Sequence, residues 1–246
     1  MSQKDKDIAW LTKRPIAHRG YHDLNRDRWE NTLSAFKAAR DHGFAIECDV
    51  HMTADNAPMV FHDDSLARLT GAEGFIWQRT RAEMQSLRIG GTQDRPPTLE
   101  EMLDLVDGKV PIVIELKGIP GYDNDLVATV AAMLARYSGP AAIMSFDHWL
   151  IRLFPQHAPD VTCGLTALGT TPKDFESHFS MLGNGIDFVS YCLAHMPNPF
   201  ITYVRERLNM PVITWTARDE AAVRATYAYG DQMTFEGFNP DKIVTA

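Results

Sequence analysis

Short runs of β-branched and apolar residues recur along the chain. Each is followed by a polar turn and then by a stretch whose apolar positions return every three to four residues. The strand-like runs fall at 15–20, 44–50, 58–62, 110–116, 141–146, 161–167, 186–191, 211–216 and 231–236, and helical spacing fills 31–42, 98–106, 123–137, 147–156, 172–182, 199–208 and 219–229. Thr98 with Glu101 is a capping-box pattern, and Pro172 and Pro199 suit first helical turns. Only 53–57 separates the second run from the third. A parallel crossover needs roughly a dozen residues, so these two runs form a hairpin or one bent element. Counted together they leave eight strand units alternating with helices, and the pattern predicts an α/β fold, a (β/α)8 TIM barrel.

Residues 64–97 interrupt the alternation with Gly71, Gly74, Gly90, Gly91 and the pair Pro96 and Pro97. The stretch is long for a loop in a compact domain and is expected to be a short insertion over the C-terminal face of the barrel. No fixed-period repeat, low-complexity tract or Gly/Ser linker divides the sequence, so 1–246 is read as a single barrel domain carrying an inserted segment at about 64–97.

Composition narrows the setting. Apolar runs such as 110–114 are far short of the roughly 20 residues that cross a bilayer, so no integral membrane segment is expected. The first residues alternate charges with Ile8, Ala9, Trp10 and Leu11 and lack the apolar core of a secretory signal. Cys48, Cys163 and Cys192 are too few and too far apart for a disulfide framework or a thiolate metal site, and a cytoplasmic location is expected. A net charge of −8 opposes nonspecific nucleic-acid binding, so an anionic substrate requires local positive charge. Nothing in the sequence marks a self-association surface, and oligomeric state stays open.

The chemistry sits at strand ends, where barrel enzymes place their sites. Glu47 and Asp49 share one strand face, as do Glu115 and Lys117. Three carboxylates in one dry site would raise one another's pKa unless a cation lay among them, and an all-oxygen set favours Mg²⁺, Ca²⁺ or Mn²⁺. Spacing alone leaves open that they are ordinary strand-end charges. His18 and His62 each close a strand-like run, and an imidazole pair can act as base and acid in one turnover. The other seven histidines are unassigned.

The order His18-Arg19-Gly20, Glu30-Asn31-Thr32, Glu47-x-Asp49-Val50, Thr53-x-Asp55, His62-Asp63, Leu66, Arg68, Thr70-Gly71, Glu115-x-Lys117, Ser145-Phe146 and Trp215-Thr216 resembles the glycerophosphodiester phosphodiesterase family over about 15–240. The resemblance implies a barrel related to phosphoinositide phospholipases, one divalent cation on Glu47, Asp49 and Glu115, and His18 and His62 as the acid/base pair. It further implies phosphate binding by Arg19 and Lys117. Asn31 would support substrate or metal, Glu30 would order its loop, and Phe146 and Trp215 would form an apolar wall for the glycerol. The implied partner is a small glycerophosphodiester, hydrolysed to glycerol 3-phosphate and an alcohol.

Three places depart from the family pattern. The usual proline before Glu30 is absent from Arg26-Asp27-Arg28-Trp29, the usual asparagine after Trp215-Thr216 is Arg218, and the last strand reads Thr234-Phe235-Glu236-Gly237. Two other readings use the same residues. A phospholipase D-like enzyme acting on lysophospholipids would use Phe75, Ile76 and Trp77 as an apolar lip, unless these pack the insertion's own core. A catalytically silent glycerophosphodiester-binding protein would have no use for a complete acid/base pair.

Overall fold

The computed structural model describes residues 6–123 and 125–243. Residues 1–5, 124 and 244–246, which belong to the expected domain and, at 124, to the predicted helix 123–137, lie outside the described residues. Eight parallel strands close into a barrel: β1 (Ile16–Ala17), β2 (Ala45–Met52), β4 (Ile112–Leu116), β5 (Ala141–Ser145), β6 (Thr162–Ala167), β7 (Phe188–Cys192), β8 (Val212–Ala217) and β9 (Gln232–Phe235), with β1 pairing to both β2 and β9. The ninth strand, β3 (Pro58–Val60), runs antiparallel to β2 with Val50 opposite Val60, so the second and third runs are a hairpin.

The helices are α1 (Leu33–Asp41), α2 (Ala67–Thr70), α3 (Arg81–Ser86), α4 (Leu99–Val106), α5 (Leu126–Leu134), α6 (His148–Ile151), α7 (Phe154–His157), α8 (Pro172–Phe179), α9 (Pro199–Leu208) and α10 (Glu220–Tyr229). Side chains of Thr32, Thr98, Thr171, Asn198 and Asp219 accept the third backbone N–H of α1, α4, α8, α9 and α10, worth about 1 kcal/mol each. The predicted helix 147–156 is two short helices, α6 and α7. Pro155 explains the break: it lacks the N–H that a continuous helix would donate to Ile151.

Two cores follow from strand alternation. Outward residues such as Ile46, Cys48, Val50, Ile112, Ile114, Val189 and Tyr191 pack against the helices. Inward residues Ile16, Ala45, Val113, Ala142, Met144, Phe188 and Ile213, with Leu11, form a separate plug inside the barrel. Gly164 on β6 makes room for it, since a Cβ there would lie 2.3 Å from the Phe188 ring. Further along the strands toward their C-terminal ends, the inward positions turn polar, and the site is built on that change.

The segment 64–97 is no structureless loop. Leu66, Leu69, Ile76, Met84 and Ile89 pack a third core against Met59 and Phe61, and Thr80 with Glu83 caps α3. Of the three residues expected to form either a lip or a core, Ile76 is buried, while Phe75 stacks on Trp77 at 4.7 Å and is exposed. No helix among the described residues is long and apolar enough to cross a membrane.

Candidate active site

Glu47 and Asp49 both project inward from β2, and the register sets Asp49 beside Glu115 of β4. Oxygens of Glu47, Asp49 and Glu115 lie within 4.8 Å of one another, and all three residues are buried. Burial first, then the charges of Asp49 and Glu115, pushes the Glu47 carboxyl well above the ordinary range. Glu115 is also raised, burial outweighing the nearby Lys117 ammonium. Burial alone would raise Asp49 as well, yet Lys117, Arg19 and His62 and the Asn31 amide hold it low. Three carboxylates here share two fixed cations, Lys117 and Arg19, and Arg19 is shared in turn with Glu30. The cluster's all-oxygen donor set, buried within the barrel, fits a hard divalent cation.

The cationic side chains come from the adjoining strand ends. Lys117 Nζ lies 3.0 Å from Asp49 Oδ1 and also pairs with Glu115. Just after β1, Arg19 takes a left-handed backbone (φ 54°) that turns its N–H to Glu47 Oε2 at 2.9 Å. Its guanidinium meets Glu30 at 2.7 Å and Asp49 at 3.2 Å. Gly20 follows because a Cβ there would lie 2.9 Å from Ala35, so the tripeptide is a steric solution for bringing α1 against the barrel.

Asn31 is fully buried, has φ 53°, and donates Nδ2–H to Asp49 Oδ2 at 2.9 Å. Glu30 is clamped by Arg68 through both oxygens and by Asn25. Burial would raise its carboxyl, but these partners hold it at about 2. The segment Arg26-Asp27-Arg28-Trp29 is ordered by Asp23, which accepts the N–H groups of Arg26, Asp27 and Arg28.

Each of the two histidines rests on a carboxylate. His62 Nδ1 is 2.7 Å from Asp63 Oδ1, and Arg68 grips Asp63 at 2.6 and 2.7 Å. Neutral His51, drawn down to about 4 by burial, donates Nε2–H to the His62 carbonyl at 3.1 Å. His18 Nδ1 is 2.6 Å from Glu236 Oε2, and Arg218 Nε holds Glu236 Oε1 at 2.7 Å. The two departures at 218 and 236 are therefore one ion pair. With Nδ1–H given to a carboxylate, Nε2 is the nitrogen left to the cavity that both histidines line. Burial lowers the His18 pKa, and the Glu236 hydrogen bond opposes it.

All the expected metal, histidine and cationic residues surround one cavity of about 220 Å³ at the C-terminal end of the barrel, with Phe146 and Trp215 meeting edge-to-face at 5.5 Å on its wall. Asn31 stands behind the cavity, acting through Asp49. The sequence pattern includes Asp63 without a role and assigns none to His51 or Ser190. The His62-Asp63 dipeptide and the single polar residue on Phe188's strand face were the available signals.

The sequence profile of the Glycerophosphoryl diester phosphodiesterase family matches residues 18–245. A protein described as glycerophosphodiester phosphodiesterase, from Caldanaerobacter subterraneus, is 35% identical over 162 residues, 61% of this chain. The match spans 65% of that relative, less than two thirds of its length. Among solved structures, an Oleispira antarctica phosphodiesterase in complex with the product sn-glycerol-3-phosphate superposes with a TM-score of 0.79 at 22% identity, covering 92% of this chain and 94% of that one. A glycerophosphodiester phosphodiesterase from Agrobacterium tumefaciens superposes with 0.72 at 24% identity, covering 90% and 95%. At these identities the two structures speak for the barrel fold.

Proposed function

This chain belongs to the glycerophosphoryl diester phosphodiesterase family, and on that premise we propose that it hydrolyses glycerophosphodiesters to glycerol 3-phosphate and an alcohol with His18 and His62 as its acid/base pair. The observation that carries the reading is the convergence on one cavity of three buried carboxylates, two cationic side chains and two histidines, each histidine held through Nδ1 by a carboxylate.

Glu47, Asp49 and Glu115 would hold one divalent cation, Mg²⁺, Ca²⁺ or Mn²⁺, which when bound draws charge from the phosphate oxygens. Arg19 and Lys117 add fixed positive charge for the phosphodiester monoanion. One histidine takes the proton of the glycerol 2-hydroxyl as that oxygen bonds to phosphorus. The other gives its proton to the departing alkoxide as the P–O bond breaks. Water then opens the cyclic phosphate with the histidines in exchanged roles, leaving glycerol 3-phosphate.

Release of glycerol 3-phosphate from glycerophosphocholine tests this, measured with chelator and after restoring Mg²⁺, Ca²⁺ and Mn²⁺ separately. Metal-dependent release is expected, and no release with any of the three overturns the reading. A second reading, lysophospholipid cleavage on the same site, draws on the stack in which half-buried Trp77 lies between the exposed rings of Phe75 at 4.7 Å and Tyr122 at 5.7 Å. Faster turnover of a lyso-lipid than of glycerophosphocholine would favour it.

A further inference from the structure

Thr166 Oγ1, Ser190 Oγ and Trp215 Nε1 are buried polar atoms with no hydrogen-bond partner among the described residues. They sit on three consecutive strands, β6, β7 and β8, and Thr166 is the register partner of Ser190. Ser190 is only 1% exposed. Its strand neighbours Val189 and Tyr191 pack outward, while Phe188, on its own face, belongs to the inner plug, so Ser190 points into the barrel. Ser190 and Trp215 both line the cavity that holds the carboxylates and histidines.

The closed strand order places these donors opposite the charged groups. Around the ring β1-β2-β4-β5-β6-β7-β8-β9, β7 lies four strands from β2 and β8 four strands from β4. The wall carrying Glu47, Asp49 and Glu115 therefore faces the wall carrying Ser190 and Trp215. Burying an unpaired hydroxyl or indole N–H destabilises a protein, and an alanine or phenylalanine would avoid that cost. Atoms kept unpaired in a cavity's wall are explained when a ligand pairs them.

We propose that Ser190 and Trp215 form a hydroxyl-binding subsite that reads the terminal hydroxyl of the glycerol moiety, the one that takes no part in the chemistry. A hydroxyl both accepts and donates, and the pair matches it: Trp215 Nε1–H donates to the hydroxyl oxygen, and Ser190 Oγ accepts its proton. Trp215 then supplies an N–H donor as well as the apolar wall. The subsite rests on the glycerophosphodiesterase reading and names the feature that separates glycerol from simpler diols.

The test is calorimetric titration of the Mg²⁺-loaded full chain with glycerol 3-phosphate and with 1,2-propanediol 1-phosphate, which lacks that hydroxyl. Wild type and Ser190→Ala are compared, alongside turnover of glycerophosphocholine by both. Wild type is expected to prefer glycerol 3-phosphate about tenfold, and Ser190→Ala to lose most of that preference. The melting temperature of ligand-free Ser190→Ala should rise, because an unpaired buried hydroxyl has been removed, whereas a structural role for Ser190 would lower it. Equal wild-type affinity for the two ligands, absence of binding by either, or a preference that survives in Ser190→Ala overturns the subsite. Discriminating binding without turnover overturns the enzymatic reading and leaves the subsite standing.

Discussion

The imidazole of His18 and the carboxylate of Glu236 meet at 2.6 Å through Nδ1 and Oε2, and Arg218 holds the other carboxylate oxygen at 2.7 Å. The same order of groups recurs at His62, Asp63 and Arg68, built from one stretch of chain that runs into α2 instead of from three strand ends. Both histidines are thus held in one tautomer by a carboxylate that is itself pinned by arginine. Arg218 is largely exposed, so its contribution is to aim Glu236 more than to strengthen it.

Glu236→Gln keeps an acceptor for His18 but removes the charge that stabilises an imidazolium. A fall in kcat of about 10- to 100-fold with little change in KM is expected, measured on glycerophosphocholine. Arg218→Ala should lower kcat by less. An equal effect of the two would mean that the ion pair, and not the carboxylate, sets the imidazole.

Glu30 and Asp63 both titrate near 2 in the fold, below their ordinary values of 4.5 and 3.8. A depressed carboxyl contributes stability that is present above the unfolded-state value and is lost as pH falls through the folded one. Stability should therefore decline between about pH 4.5 and pH 2. Glu30→Gln should destabilise by about 1–3 kcal/mol at pH 7 and flatten that decline, as read by urea unfolding across pH.

Glu47 and Glu115 carry the opposite sign. Their raised carboxyls bind protons more tightly in the folded than in the unfolded state, so without a cation their contribution to stability is lost as pH rises. A divalent cation competes for the same oxygens, so the cation-induced rise in melting temperature should grow from pH 5 to pH 8. Glu47→Gln should abolish most of the rise. A shift of equal size in that variant would place the cation elsewhere.

Asn31→Asp keeps a residue tolerant of the left-handed backbone but replaces the donor to Asp49 with a fourth carboxylate. Cation affinity, measured by calorimetry, should fall about 10- to 100-fold, with stability lower by about 1–3 kcal/mol.

With the proposed attack by the glycerol 2-hydroxyl, the 2-deoxy analogue of glycerophosphocholine should not turn over; its efficient cleavage would instead indicate direct attack by water. An activated leaving group should partly rescue whichever of His18→Ala and His62→Ala removes the acid, identifying that histidine from the two rate profiles.

The barrel was legible in the sequence because its causes are local. Alternation along a strand and repetition along a helix record which face is buried, and Thr98 with Glu101 or Asp219 records where a helix begins. The spacing predicts one helix over 147–156 because apolar positions continue through Pro155, whose missing N–H splits it into α6 and α7. Glu47, Asp49, Glu115, His18 and His62 stood out because charged or titratable residues closing apolar runs need a reason. What the sequence could not contain was adjacency across the barrel: that Arg218 and Glu236, 18 positions apart, form one pair behind His18, or that Ser190 and Trp215 face the carboxylates from four strands away. Strand pairing is periodic and visible along the chain, whereas closure of the ring sets distances between residues remote in sequence, and those distances decide which polar atoms find partners and which are left for a ligand.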